Sequence, residues 1–258
     1  MPRIARVGPR RARPDERLHV EEHLDELRRR LIISALALVV AFAGMYAVHD
    51  QLIDLLTRPL PDDVDQLITL SPTEPFFTTL KVTFWAAVLV TLPVWLYQAY
   101  AFVIPAVADQ PRRVVLAVTA SLAALFAGGV AFGYFVVLPV ALDFLTGFGG
   151  DTFNEQLRAG EYFGFATTML LASGILFEVP IAMAALSRMG VTSARMYRTQ
   201  WRVAIVVIAA IAAVLPGGDP ISMGLLMIPQ VVLYGVGIAL SVRFGQAPLW
   251  SRERASEM

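Results

Sequence analysis

Residues 163–187 read FGFATTMLLASGILFEVPIAMAALS, an uncharged run broken by one carboxylate, Glu178. At 1.5 Å per residue that stretch makes roughly 37 Å of helix, enough to cross a hydrocarbon core of about 30 Å with tilt. Five other segments share its character: Leu31–Val48, Phe84–Ala106, Val114–Val140, Val203–Pro216 and Ile221–Val242. The run from Val203 is bounded by Arg202 and Asp219. That leaves roughly 24 Å of uncharged helix, short enough to imply local bilayer thinning or shielding by a partner.

Composition agrees with six crossings. Of 258 residues, 57% are hydrophobic and 16% charged, and mean hydropathy is +0.62. Soluble domains are usually about half apolar and a quarter charged. The excess lies in the long uncharged runs, as it does when lipid covers the surface. The reading is an all-α membrane protein with six transmembrane helices. Cysteine is absent, which excludes disulfides, thiolate metal sites and thiol nucleophiles.

A formal net charge of zero hides an asymmetry. Of the 21 Lys and Arg residues, all but Arg58, Lys81 and Arg158 fall on one face. They lie in the N-terminal tail, at Arg112 and Arg113, from Arg188 to Arg202, and at Arg243, Arg252 and Arg254. Basic loops stay on the cytoplasmic side, so both termini are expected there, in a plasma (inner) membrane. Residues 1–17 read as a disordered basic tail drawn to the anionic inner leaflet. They lack the apolar stretch of a secretory signal. Residues 18–242 read as a single six-helix domain and 243–258 as a cytoplasmic tail. The outer segments 49–75 and 141–162 are long, with room for short amphipathic helices.

Three features carry the functional reading. Leu18–Leu31, LHVEEHLDELRRRL, places Val20, Leu24, Leu27 and Leu31 at helical spacing just before span one, an interfacial amphipathic helix. Asp25 and Glu26 have cations four residues on, at Arg29 and Arg30, a favourable order. Glu21 and Glu22 have none. This is an acidic face on the basic side, suited to guanidinium groups, or simply a helix that positions span one. Glu178 sits deep in an apolar span, where a carboxylate costs at least a few kcal/mol unless it faces a cavity, partner or water. Pro180, two residues on, removes a backbone donor and is expected to kink the helix. Gly129 and Gly133 form a GxxxG, read as close intramolecular packing. No HExxH, Ser–His pair within a span or phosphate loop occurs, so protease and ATPase chemistry has no residues to use. The chain reads as a non-enzyme without cofactors or metal. A solute transporter is the alternative, but it would want broken helices in repeated halves, and nothing here repeats.

The ordered motifs resemble the TatC family, the large membrane subunit of the twin-arginine (Sec-independent) protein translocase. They begin with His23-Leu24-Asp25-Glu26-Leu27-Arg28, Arg58-Pro59-Leu60, Pro75-Phe76-Phe77, Lys81 and Leu96-Tyr97-Gln98. Phe126, Gly129, Tyr134-Phe135-Val136-Val137, Phe177-Glu178-Val179-Pro180, Met189-Gly190, Asp219 and Ile228-Pro229 complete the series. The resemblance implies a receptor for twin-arginine signal peptides of folded precursors. It also implies single-span TatA/TatB-type partners, further copies of itself in a complex, and transport on the proton gradient without nucleotide. By motif, Glu26 contacts the signal arginines, with Arg28, Glu22, Asp109 and Arg112 around it. Glu178 and Pro180 belong to a membrane cavity facing partner helices, and Pro59, Pro75, Phe76 and Asp219 are structural loop residues. Two positions depart from the family. Pro111 stands where a second loop carboxylate is usual, and Gly217-Gly218-Asp219 replaces a Pro-Pro-Asp turn.

The topology is open to single-cysteine labelling, since no native thiol competes. An impermeant reagent outside intact cells is expected to label cysteine placed at Asp63 or Glu155 and not at Arg113. Labelling at Arg113 would overturn the orientation.

Overall fold

The computed structural model describes residues 14–61, 67–103, 112–148, 156–214 and 219–245. Their order is α1 (Pro14–Ala47), α2 (His49–Thr57), α3 (Glu74–Val103), α4 (Arg112–Phe132), a π-helical turn (Gly133–Val137), α5 (Leu138–Gly147), α6 (Ala159–Phe177), α7 (Val179–Arg188), α8 (Ala194–Thr199), α9 (Trp201–Val214) and α10 (Pro220–Phe244). No strand occurs among the described residues; one isolated bridge joins Ile68 to Arg158. All-helical structure is what lipid permits, since a helix satisfies its own peptide groups. Threonines inside the spans follow the same rule. Thr83, Thr91 and Thr167 donate to the carbonyls of Thr79, Ala87 and Phe163, at 2.7, 2.8 and 2.6 Å.

Five helical stretches are long and apolar enough to cross a membrane: Leu24–Ala47, Glu74–Phe102, Leu116–Gly147, Ala159–Arg188 and Pro220–Phe244. The short segment of the sequence reading is α9, at 14 residues roughly 21 Å long. The helices outrun the apolar segments read from the sequence. α1 is one unbroken helix of 34 residues; the stretch expected to form a separate interfacial helix continues straight into span one, and the expected boundary at residue 17 falls inside it. α4, the π turn and α5 run on to Gly147, seven residues past the expected end. Apolarity marks where lipid lies, whereas hydrogen bonding continues a helix into water.

The outer segment 49–75 holds the short amphipathic helix anticipated there, α2. It lays Leu52, Ile53 and Leu56 on a core of Val82, Leu138, Leu142, Tyr162 and Phe163. A helix ends with four carbonyls lacking helical partners. Here the Tyr134 hydroxyl donates to Leu55 O at 2.7 Å, the Tyr162 hydroxyl donates to Leu56 O, and Leu60 N–H donates to Thr57 O at 3.1 Å. α2 is thus tied across the outer ends of the third and fourth spans. Pro59 sits in the turn that follows, and Pro75 in the first turn of α3, where a missing N–H costs nothing.

Within the bilayer, small residues bring helices together. A Cβ built on Gly129 would lie 2.5 Å from Ser173 O, and one on Gly133 2.8 Å from Ser173 Oγ. The GxxxG therefore packs α4 and the π turn onto α6, an intramolecular contact. Gly237 of α10 plays the same part against Met183 and Pro180 of α7. Large apolar side chains such as Leu36, Val40, Val206 and Val214 remain exposed, the surface that lipid covers.

α10 starts on Asp219. Its Oδ1 accepts from Ile221 N–H at 3.1 Å and Ser222 N–H at 2.7 Å, with Pro220 next in the chain. Asp219→Ala is expected to cost about 1 kcal/mol, read as a lower unfolding midpoint in detergent, while Asp219→Asn keeps most of the cap.

Candidate functional site

The candidate site lies at two levels. Near the middle of α1, where its apolar span begins, Arg30 Nε and Nη2 both donate to Glu26 Oε1, at 2.9 and 2.5 Å. The same guanidinium reaches α3, with Nη1 donating to Gln98 Oε1 at 3.0 Å and Nη2 to Ala101 O at 3.1 Å. One turn further into the membrane, Trp95 Nε1 donates to Ser34 O at 3.1 Å. Arg30 is therefore shared between the acid it follows by four residues and the end of another helix. Among the described residues Glu26 Oε2 has no hydrogen-bond partner, and the side chain is 43% exposed against 20% for Arg30. The result is a carboxylate held in place through one oxygen with the other available.

The second pair anticipated there, Asp25 with Arg29, does not form: both are exposed and neither makes an ion pair among the described residues. Arg28 is exposed as well. Glu22 and Arg112 lie in helical backbone at the starts of α1 and α4, while Asp109, Pro111, Gly217 and Gly218 fall outside the described residues. The sequence reading counted Arg30 as a helix partner and missed Gln98 as its second contact. The signal was an uncharged polar residue within VWLYQAYAF, at the foot of an apolar span.

The other level is the joint between α6 and α7. Pro180 cannot donate, and the helix breaks at Glu178. The Glu178 N–H donates to Ile175 O at 3.0 Å, a three-residue turn, and Ile181 and Ala182 N–H restart the ladder on Glu178 O at 3.1 and 3.0 Å. The interruption falls where Pro180 led one to expect it. With α7 spanning ten residues, Glu178 stands roughly 15 Å above the inner end, near mid-bilayer. It is 6% exposed. The Phe126 amide of α4 approaches the carboxyl, but that group lies inside a helix, and neither Glu178 oxygen completes a hydrogen bond among the described residues. Gln230 Oε1 and Ser173 Oγ are buried and likewise unpaired. The structure does not bring Glu178 and the Glu26 cluster together.

The face opposite the basic loops holds a cluster that the sequence reading did not single out. Glu74, one residue before Pro75-Phe76-Phe77, accepts from Arg158 Nε at 2.7 Å, Leu70 N–H at 2.8 Å and Gly160 N–H at 3.3 Å. Its carboxylate partner raises the Arg158 guanidinium above its ordinary value, keeping it charged. Ile68 N–H donates to Leu157 O and Ala159 N–H to Ile68 O, both at 2.9 Å, closing the two outer segments on each other. Arg158 is one of three outer-face cations, which was the available clue. Phe76 and Phe77 stand exposed beside this clamp, edge to face at 5.4 Å.

A polytopic helical membrane protein is defined by these features, with one broken span carrying a buried acid and a charged cluster at the foot of another. The family of Sec-independent protein translocase proteins (TatC) matches residues 22–229. The Sec-independent protein translocase protein TatC of Desulforapulum autotrophicum is 34% identical over 95% of this chain and 92% of its own. That of Deinococcus radiodurans is 35% identical, covering 92% and 90%. A crystal structure described as the twin arginine translocase receptor TatC in DDM superposes with a TM-score of 0.76, at 33% identity, over 85% of this chain and 99% of that one. This chain belongs to the TatC family, and is a multi-pass membrane component of a protein translocase.

Glu178 supplies a test of burial without pairing. Removing an unpaired acid from this depth relieves a cost, so Glu178→Gln is expected to unfold in detergent at or above the wild-type midpoint. A clear fall would mean that the carboxylate is bonded in the folded protein.

Proposed function

We propose that this chain is the signal-peptide receptor and core subunit of a twin-arginine translocase. It holds six spans with both termini cytoplasmic in the inner membrane, and exports folded proteins on the proton gradient. The observation that carries the reading is the Glu26 carboxylate, anchored through Oε1 by Arg30 and half-exposed where the apolar span of α1 begins. A guanidinium from outside has an oxygen to bind without displacing Arg30, which stays bonded to Gln98 and Ala101 O. Charge-assisted contacts of this kind are the strong ones, and Arg suits them better than Lys because its fork is planar. By the family motif, Glu22, Arg28, Asp109 and Arg112 are assigned to the same recognition task. Glu178 and Pro180 form the membrane-level contact for single-span TatA/TatB-type helices or the inserted signal peptide. Support comes from the superposed structure, which is described as a receptor.

The test is peptide binding. Loss of one charge-assisted contact, about 1.5–3 kcal/mol, lowers affinity roughly ten- to a hundredfold. Glu26→Ala is expected to weaken a twin-arginine peptide by that much and its Lys-Lys counterpart far less. Asp25→Ala, at an exposed and unpaired acid, is expected to matter little, and Pro111→Glu to tighten binding. Equal affinities for the two peptides in the wild type, unchanged by Glu26→Ala, would end the receptor reading.

A further inference from the structure

The break at Glu178 marks a change of neighbours. Above it, α6 packs on α4 through Gly129 and Gly133; below it, α7 packs on α10 through Gly237 and stands off from α4. The space this leaves is a cavity of about 300 Å³ between α3, α4, α7 and α10. Two of its walls are stripes at four-residue spacing, Ala117, Ser121 and Leu125 on α4 and Val236, Leu240 and Phe244 on α10, each therefore one helix face. Along α7 it extends from Pro180 to Arg188, roughly 12 Å, close to the depth of one leaflet of a 30 Å core.

Its polarity is graded. The walls are apolar, and the charge is at the inner end, where Arg188 and the Tyr100 phenol line the mouth. Arg243 lies 5.8 Å over the ring of Phe244, a second cation at the rim, and among the described residues no acid lines the cavity. We propose that this groove binds an anionic phospholipid, one acyl chain between α4 and α10 and the phosphate at Arg188. Shape and charge select that occupant: the slot is apolar along about one leaflet's depth and carries its cation at one end. An apolar slot ending in arginines at headgroup depth complements a lipid phosphate, which pairs with guanidinium in fork geometry. The site does not depend on which precursor is recognised, so a failure of the receptor reading leaves it untouched.

The probe is phosphatidylglycerol carrying a photoreactive group in its acyl chain, present as a trace in phosphatidylcholine vesicles holding the full chain. Peptides spanning 117–125, 181–188 and 236–244 are expected to be labelled several-fold above 36–40, on the lipid-exposed face of α1. A phosphatidylcholine probe is expected to show less preference. Arg188→Gln should reduce phosphatidylglycerol labelling of the groove several-fold without changing phosphatidylcholine labelling. Ala184→Phe, which fills the slot, should reduce both while labelling of 36–40 persists as the sign of an intact fold. Groove labelling no greater than on α1, or equal for both lipids and unchanged by Arg188→Gln, would overturn the proposal. Displacement of the probe by an uncharged apolar helical peptide would also overturn it.

Discussion

A peptide group without a partner in hydrocarbon costs several kcal/mol, and among the described residues three departures from regular helix are arranged around that cost. At the end of α2 two tyrosine hydroxyls take the carbonyls that the helix leaves over. At Glu178 the ladder is carried through the break by a three-residue turn on Ile175 and restarts at Ile181, three residues on. At the start of α10 the Asp219 carboxylate accepts the first free N–H groups. Irregular backbone occurs where a substitute donor or acceptor has been supplied.

The break at Glu178 then decides the packing of half the molecule. Across this break one span serves two partners, α4 above and α10 below, each reached through glycines. A buried acid stands at the point of exchange, and the space below it becomes a groove. The outer ends are closed separately, by Glu74 and Arg158 and by the Ile68 bridge. The outer cap and the inner half therefore have different means of support.

α1 packs chiefly on α3, and its other apolar residues face outward. Its polar links, from Trp95 to Ser34 O and from Arg30 to Gln98 and Ala101 O, gather in its inner half. Glu26 is thus positioned from outside its own helix. An i,i+4 pair alone is worth a few tenths of a kcal/mol and would leave the carboxylate free to wander; the second attachment of Arg30 fixes it.

Sequence alone determined the membrane class, the apolar segments, the basic face, the short α9, the helix break beside Pro180 and the intramolecular use of Gly129 and Gly133. Each follows from local rules: hydrocarbon thickness against 1.5 Å per residue, the missing proline donor, the close approach that glycine allows. Helix ends were read less well, because apolarity reports lipid and α1, α3 and α5 continue beyond it. Tertiary structure decided what no spacing encodes: that Arg30 meets Gln98, 68 residues away, that Glu74 meets Arg158, 84 residues away, and that Asp25 and Arg29 stay apart. Those contacts depend on which helices lie side by side. That choice comes from small-residue packing and turn geometry distributed over the whole chain, so the partner of a polar side chain appears only when the helices are placed.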